Sequence, residues 1–150
     1  MGNNTGDKGI GTSLDIDDAG NFHVAYVDGL DEAVNYVMVQ GGTTPQAAET
    51  VDDGLGMGDG VHLVGDDSDI VVTPSGEVRI SYQDATGGTL RYAIGTPNGN
   101  AHDWTVTDVA QDAFAGAFSV QINNGGALQV LNWWRVASPN ALGDVALVTP

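Results

Sequence analysis

Residues 13–28 read SLDIDDAGNFHVAYVD, and residues 69–84 read DIVVTPSGEVRISYQD. The second stretch repeats the first without a gap at a spacing of 56, matching Gly20 to Gly76, Val24 to Ile80, Tyr26 to Tyr82 and Asp28 to Asp84. A third version, SVQINNGGALQVLNWW, occupies residues 119–134 and follows at a spacing of 50, with Gly126 in the glycine slot. Internal periods of about 40 to 50 residues that hold several strands each mark radial β architectures. An all-β, propeller-type chain is therefore expected.

Within each unit the strands follow from local pattern. A short run (13–16, 69–72, 118–122) leads into a turn, DDAG, TPSG or NNGG, in which glycine supplies positive φ and Asp, Asn or Pro favours the positions before it. The next strand places Phe22, Val24 and Tyr26 on one face at period two, repeated by Val78, Ile80 and Tyr82, then by Leu128, Val130 and, as a departure, Asn132. A third strand is expected at 33–39, 90–94 and 144–148, with Tyr36 and Tyr92 again at the repeat spacing. Weaker fourth strands fall around 49–51 and 104–109, and no helix is expected, since the run at 46–50 is too short. The expected organisation is one domain of about three four-stranded antiparallel blades: blade 1 about 13–53, a glycine-rich connector 54–68, blade 2 about 69–111 and a partial blade 3 about 118–150. Two such copies would close a six-bladed ring. Unpaired faces and edges otherwise need cover from another copy or from the remaining blades of a longer chain.

Composition narrows the partners. Twenty acidic residues against four basic ones leave a formal charge of −16, which repels phosphate backbones and anionic bilayers, so nucleic acid is not an expected partner. The acidity fits high-salt adaptation, a calcium-rich exterior or simply a solvated surface. No cysteine is present, so neither disulfides nor thiolate metal sites contribute. No apolar run is long enough to span a bilayer, and the MGNN start lacks the basic and apolar regions of a signal peptide. It reads as an added initiator methionine on a segment of an exported protein.

The repeats resemble the blade pattern of bacterial extracellular β-propellers, roughly S-L-x-x-D-x-x-G-x-x-H-x-x-Y-x-D, then L-x-Y-A, then W-x-x-x-x-V. Ser13, Leu14, Asp17, Gly20, His23, Tyr26, Asp28 and Tyr36 carry it in the first unit, and Gly76, Tyr82, Asp84, Leu90, Tyr92, Ala93, Trp104 and Val109 in the second. The resemblance implies an extracellular or cell-surface location and a binding platform or structural module. It also implies that Trp104 packs within its blade.

Candidate site residues are drawn from the aromatic and charged positions. Trp133, Trp134 and Arg135, with Tyr82, Asp84 and Arg91, are candidates for ligand binding, because aromatic faces stack on sugar rings while charged groups hold hydroxyls. Asp15, Asp17, Asp18 and Asn21 bunch oxygen donors around one turn and are the candidate calcium ligands, although the equivalent turns lack the cluster and turn formation alone accounts for it. Calcium apart, no cofactor is expected. The histidines at 23, 62 and 102 share no zinc spacing. No nucleophile or acid–base pair stands out, and no unit matches the sialidase pattern S-x-D-x-G-x-x-W. The expected function is noncatalytic recognition of a glycan or protein. The alternatives are a self-associating module that completes a ring or fibre, and a fragment of a propeller glycosidase or lyase.

Overall fold

The computed structural model describes residues 8–56, 58–111, 131–135 and 144–148, with side chains for 8–56 and 58–110. The fold is all-β, with no helix among the described residues. Strands β1 (Lys8–Ile16), β2 (Phe22–Asp28), β3 (Ala33–Gln40), β4 (Thr44–Pro45) and β5 (Glu49–Asp52) form a first antiparallel sheet, ordered β1-β2-β3-β4 with β5 also paired to β3. A second antiparallel sheet runs β6 (Val64–Val72), β7 (Val78–Asp84), β8 (Thr89–Asn98) and β9 (Ala101–Gln111), in chain order. Strands β10 (Leu131–Arg135) and β11 (Asp144–Val148) pair antiparallel, as the second and third strands of a unit should. The expected first strand of the third unit, 118–122, lies outside the described residues.

The two hairpin turns close as their glycines require. Gly20, at φ +79°, donates its N–H to the Asp17 carbonyl at 2.9 Å, and Gly76, at φ +81°, donates to the Thr73 carbonyl at 2.8 Å. Only glycine adopts such a conformation without strain.

The first strand of each unit is longer than the alternation predicts: β1 starts at Lys8 rather than residue 13, and β6 at Val64 rather than residue 69. Bulges explain why. The register of β1 on β2 shifts between Lys8 and Ile10 and between Ile10 and Ser13; that of β6 on β7 shifts between Val64 and Asp66 and between Asp66 and Asp69. Each of these positions stands one repeat spacing from its counterpart, so the irregularity itself repeats. A bulge breaks the period-two pattern by which a strand is recognised. The repeat thus reaches back to Lys8, and the tail of the glycine-rich connector is strand.

The core lies between the two sheets. One face of the first sheet contributes Ala25, Val34, Tyr36 and Val51; the second sheet answers with Ile70, Val72, Val78, Ile80, Tyr82 and Ala93. Burying each branched or aromatic side chain contributes about 1.5–3 kcal/mol, and this stacked layer is the main source of stability. Gly65 lets β6 approach the first sheet: a Cβ there would lie 2.4 Å from Cγ2 of Val27, at a φ of +107°. Polar latches cross the same seam, where Ser68 Oγ donates to the Gly11 carbonyl at 2.6 Å and the Val72 N–H to Asp15 Oδ2 at 2.7 Å.

Candidate functional site

Arg91 sits in the middle of β8, opposite Tyr82 on β7 and Asp108 on β9. Its guanidinium is 3% exposed and is met by three carboxylates. Nη1 donates to Asp52 Oδ2 of the first sheet at 2.9 Å, Nη2 pairs with Asp84 Oδ2 at 2.8 Å, and Nε donates to Asp108 Oδ1 at 3.1 Å. Tyr82 Oη donates to the same Asp52 oxygen at 2.7 Å. Arginine suits this position because its rigid fork directs donors along several fixed directions, which a lysine ammonium cannot reproduce. Burial followed by the Asp52 charge pushes the Tyr82 phenol well above its ordinary value, which keeps it a donor.

The network extends into the glycine-rich connector. His62 is buried, with Nδ1 2.6 Å from Asp84 Oδ2 and Nε2 2.9 Å from Asp59 Oδ1, while its backbone N–H donates to the Gly54 carbonyl at 2.9 Å. An imidazole facing a carboxylate at each nitrogen is favoured as the doubly protonated donor. The hydrogen bond to Asp84 and then that to Asp59 raise its pKa above 6.5. For Asp84, burial opposes ionisation, but the Gly87 N–H and His62 outweigh it and lower the carboxyl below its usual range. Asp84 and its counterpart Asp28 also cap the turns that follow them, accepting from the N–H of Gly87 at 2.8 Å and of Leu30 at 3.1 Å.

A cleft of about 690 Å³ opens beside this network, lined by Asp52, Asp53, Arg91, Thr107 and Asp108 among others. Its walls belong to both sheets. Further along the seam, Glu49 of β5 accepts from the His102 N–H at 3.0 Å and from Trp104 Nε1 at 2.9 Å, with His102 Nδ1 3.1 Å away. Tyr36 packs edge-on against both rings. Trp104 thus ties the second sheet to the first, rather than packing only within its own sheet.

Of the six candidate ligand residues, Tyr82, Asp84 and Arg91 meet in one network, with their polar groups engaged by one another and by neighbours. Trp133, Trp134 and Arg135 lie on β10, in register with Ala146, Val145 and Asp144; their side chains fall outside what is described. Of the candidate calcium ligands, Asp15, Asp17 and Asp18 line a second groove of about 560 Å³ between the β1–β2 and β6–β7 hairpins, and Asn21 does not. There Asp15 accepts the Val72 and Ile16 N–H groups at 2.7 and 2.8 Å. Asp17 accepts both the N–H and the side-chain amide of Asn21 at 2.8 Å, as well as the Ala19 N–H at 3.0 Å. Desolvation opposes the Asp17 charge, but the Asn21 bonds and His23 outweigh it and hold its pKa at about 2. Asn21 Oδ1 accepts the Gly41 N–H at 3.0 Å, and Asp18 is exposed. Among the described residues no group of three or more His, Asp or Glu side chains is arranged to hold a metal ion.

Sequence reasoning misses Asp52, Asp108 and the pairing of His62. A signal exists for the first two, which stand one repeat apart like the tyrosines and glycines. No family model matches the chain, and no curated protein matches it.

Proposed function

We propose that this chain is a noncatalytic recognition module of propeller type, part of an exported bacterial protein, that takes a glycan at the seam between neighbouring sheets. The observation that supports this most is the cleft beside Arg91. Its carboxylates accept from the guanidinium and its rim carries threonine hydroxyls, so it offers positioned polar groups to a hydroxyl-rich ligand. The propeller reading rests on two stacked antiparallel sheets of one repeat, whose turns and bulges recur at the same spacing. A protein ligand is the other outcome for the same cleft.

The test is a glycan array followed by calorimetry on the hits, with Thr107→Trp as the blocking variant, because Thr107 is an exposed residue of β9 on the cleft rim. Binding by the wild type that Thr107→Trp abolishes is expected. A folded wild type that binds no glycan, or binds equally after the substitution, contradicts the reading. A second function, self-association that closes a ring from two copies, is favoured by the exposed apolar residues Leu14 and Ile16 on β1.

A further inference from the structure

We propose that the outward face of the first sheet is the docking surface for a second copy of this chain; this deepens the self-association reading by naming its surface. The face is defined by register. Leu14 pairs with Val24 and Ile16 with Phe22, while Val24 and Phe22 pair in turn with Val37 and Val39, so these six apolar side chains share one side of the sheet. Their neighbour Tyr26 lies on the same side, next but one after Val24.

The repeat shows what such a face is for. The counterparts of Leu14, Ile16, Phe22, Val24 and Tyr26 in the next unit are Ile70, Val72, Val78, Ile80 and Tyr82, which form the side of the second sheet that is packed into the core against the first. Leu14 and Ile16 are 54% and 52% exposed, whereas Ile70 and Val72 are 3% and 6% exposed. The hydroxyl of Tyr82 is held by Asp52, yet that of Tyr26 has no hydrogen-bond partner among the described residues. One pattern of side chains is therefore buried in the second unit, and in the first is exposed at Leu14 and Ile16 and half-buried at Phe22, Val24 and Tyr26.

The chemistry that covers it is also defined. A sheet of this same repeat does so, through the side that carries Ala25, Val34 and Tyr36 and ends in the carboxylate of Asp52. That side of the first sheet is already occupied by the second sheet. A second copy brings a further sheet of the repeat to cover Leu14, Ile16 and Tyr26. If two copies dock reciprocally, the surface is buried twice about a twofold axis. Each copy carries a charge of −16, so association should strengthen as salt screens the repulsion.

The test is absolute molar mass by light scattering after size exclusion, across protein and salt concentration, for the wild type and the double variant Leu14→Lys, Ile16→Lys. Both side chains are more than half exposed, so lysines there leave the monomer fold intact. The wild type is expected to reach twice its 15.4 kDa at high salt, the double variant to stay at 15.4 kDa, and Leu63→Lys, an exposed control, to match the wild type. Tyr26→Phe should weaken dimerisation about threefold to tenfold, the value of one hydrogen bond, and gives an independent reading if the double variant fails to fold. A dimer insensitive to both variants overturns this surface and leaves self-association standing. A wild type that is monomeric throughout overturns both.

Discussion

Asp52 and Asp108 occupy the same position of successive repeats and hold the same guanidinium, one from each sheet, at 2.9 and 3.1 Å from nitrogens of Arg91. One position of the repeat thus serves two ends of one contact. Asp52 reaches forward into the next unit, and Asp108 braces Arg91 from within its own.

Replacing Arg91 leaves Asp52 buried without its cation and Asp84 with His62 alone, and breaking a buried pair from one side costs about 3–5 kcal/mol. Arg91→Met is expected to lower the unfolding free energy by that much, read as a lower urea midpoint at an unchanged slope. Asp52→Asn keeps an acceptor for Tyr82 and should cost about 1–3 kcal/mol. Equal, small losses for the two variants would show that the network does not hold the seam.

The pH dependence follows from His62. Its folded pKa lies above 6.5, so its contribution is fully present below that value and is lost as pH rises through the raised one. His62→Gln should therefore be less stable than the wild type below pH 6.5, with the difference shrinking as pH rises through the raised pKa, where carboxylates with ordinary values stay ionised. Chemical unfolding at each pH measures it. A difference independent of pH would mean that His62 does not titrate with folding.

Much of this is legible in the chain. Tyr82, Asp84 and Arg91 stand out as candidates, and they do come together; the hairpin glycines, the β2 and β7 strands and the β10–β11 pairing follow the repeat as read. What stays hidden has two physical causes. Bulges at Ile10 and Asp66 interrupt the alternation, so the first strands read as beginning at residues 13 and 69 rather than at Lys8 and Val64. Asp52, Asp108 and Glu49 act across the seam or between strands, and no local pattern distinguishes an aspartate that crosses to a neighbouring sheet from one that faces water. The repeat spacing alone singles out the first two.

Gly65 tests the closeness of the sheets. An added methyl meets Val27 Cγ2 at 2.4 Å and Val34 Cγ2 at 3.0 Å, and the φ of +107° is strained for any residue with a side chain. Gly65→Ala should cost about 1–3 kcal/mol by thermal or urea unfolding. At Gly20, where nothing lies within 4 Å, the same substitution meets only the backbone strain of its φ of +79° and should cost less. The reverse order would contradict the packing of β6 on the first sheet.

One face of the repeat is buried in the second unit at Ile70 and Val72 and exposed in the first at Leu14 and Ile16. Because the chain has no cysteine, single thiols report on it cleanly. The measurement is the rate of thiol labelling of Leu14→Cys and Ile70→Cys, equivalent positions of the two units, as protein concentration rises. The Leu14→Cys variant should label fast when dilute and become protected on association, while Ile70→Cys stays protected throughout. Fast labelling of Ile70→Cys in the folded chain would contradict the burial of the second unit's face, and fast labelling of Leu14→Cys at every concentration would contradict docking through the first.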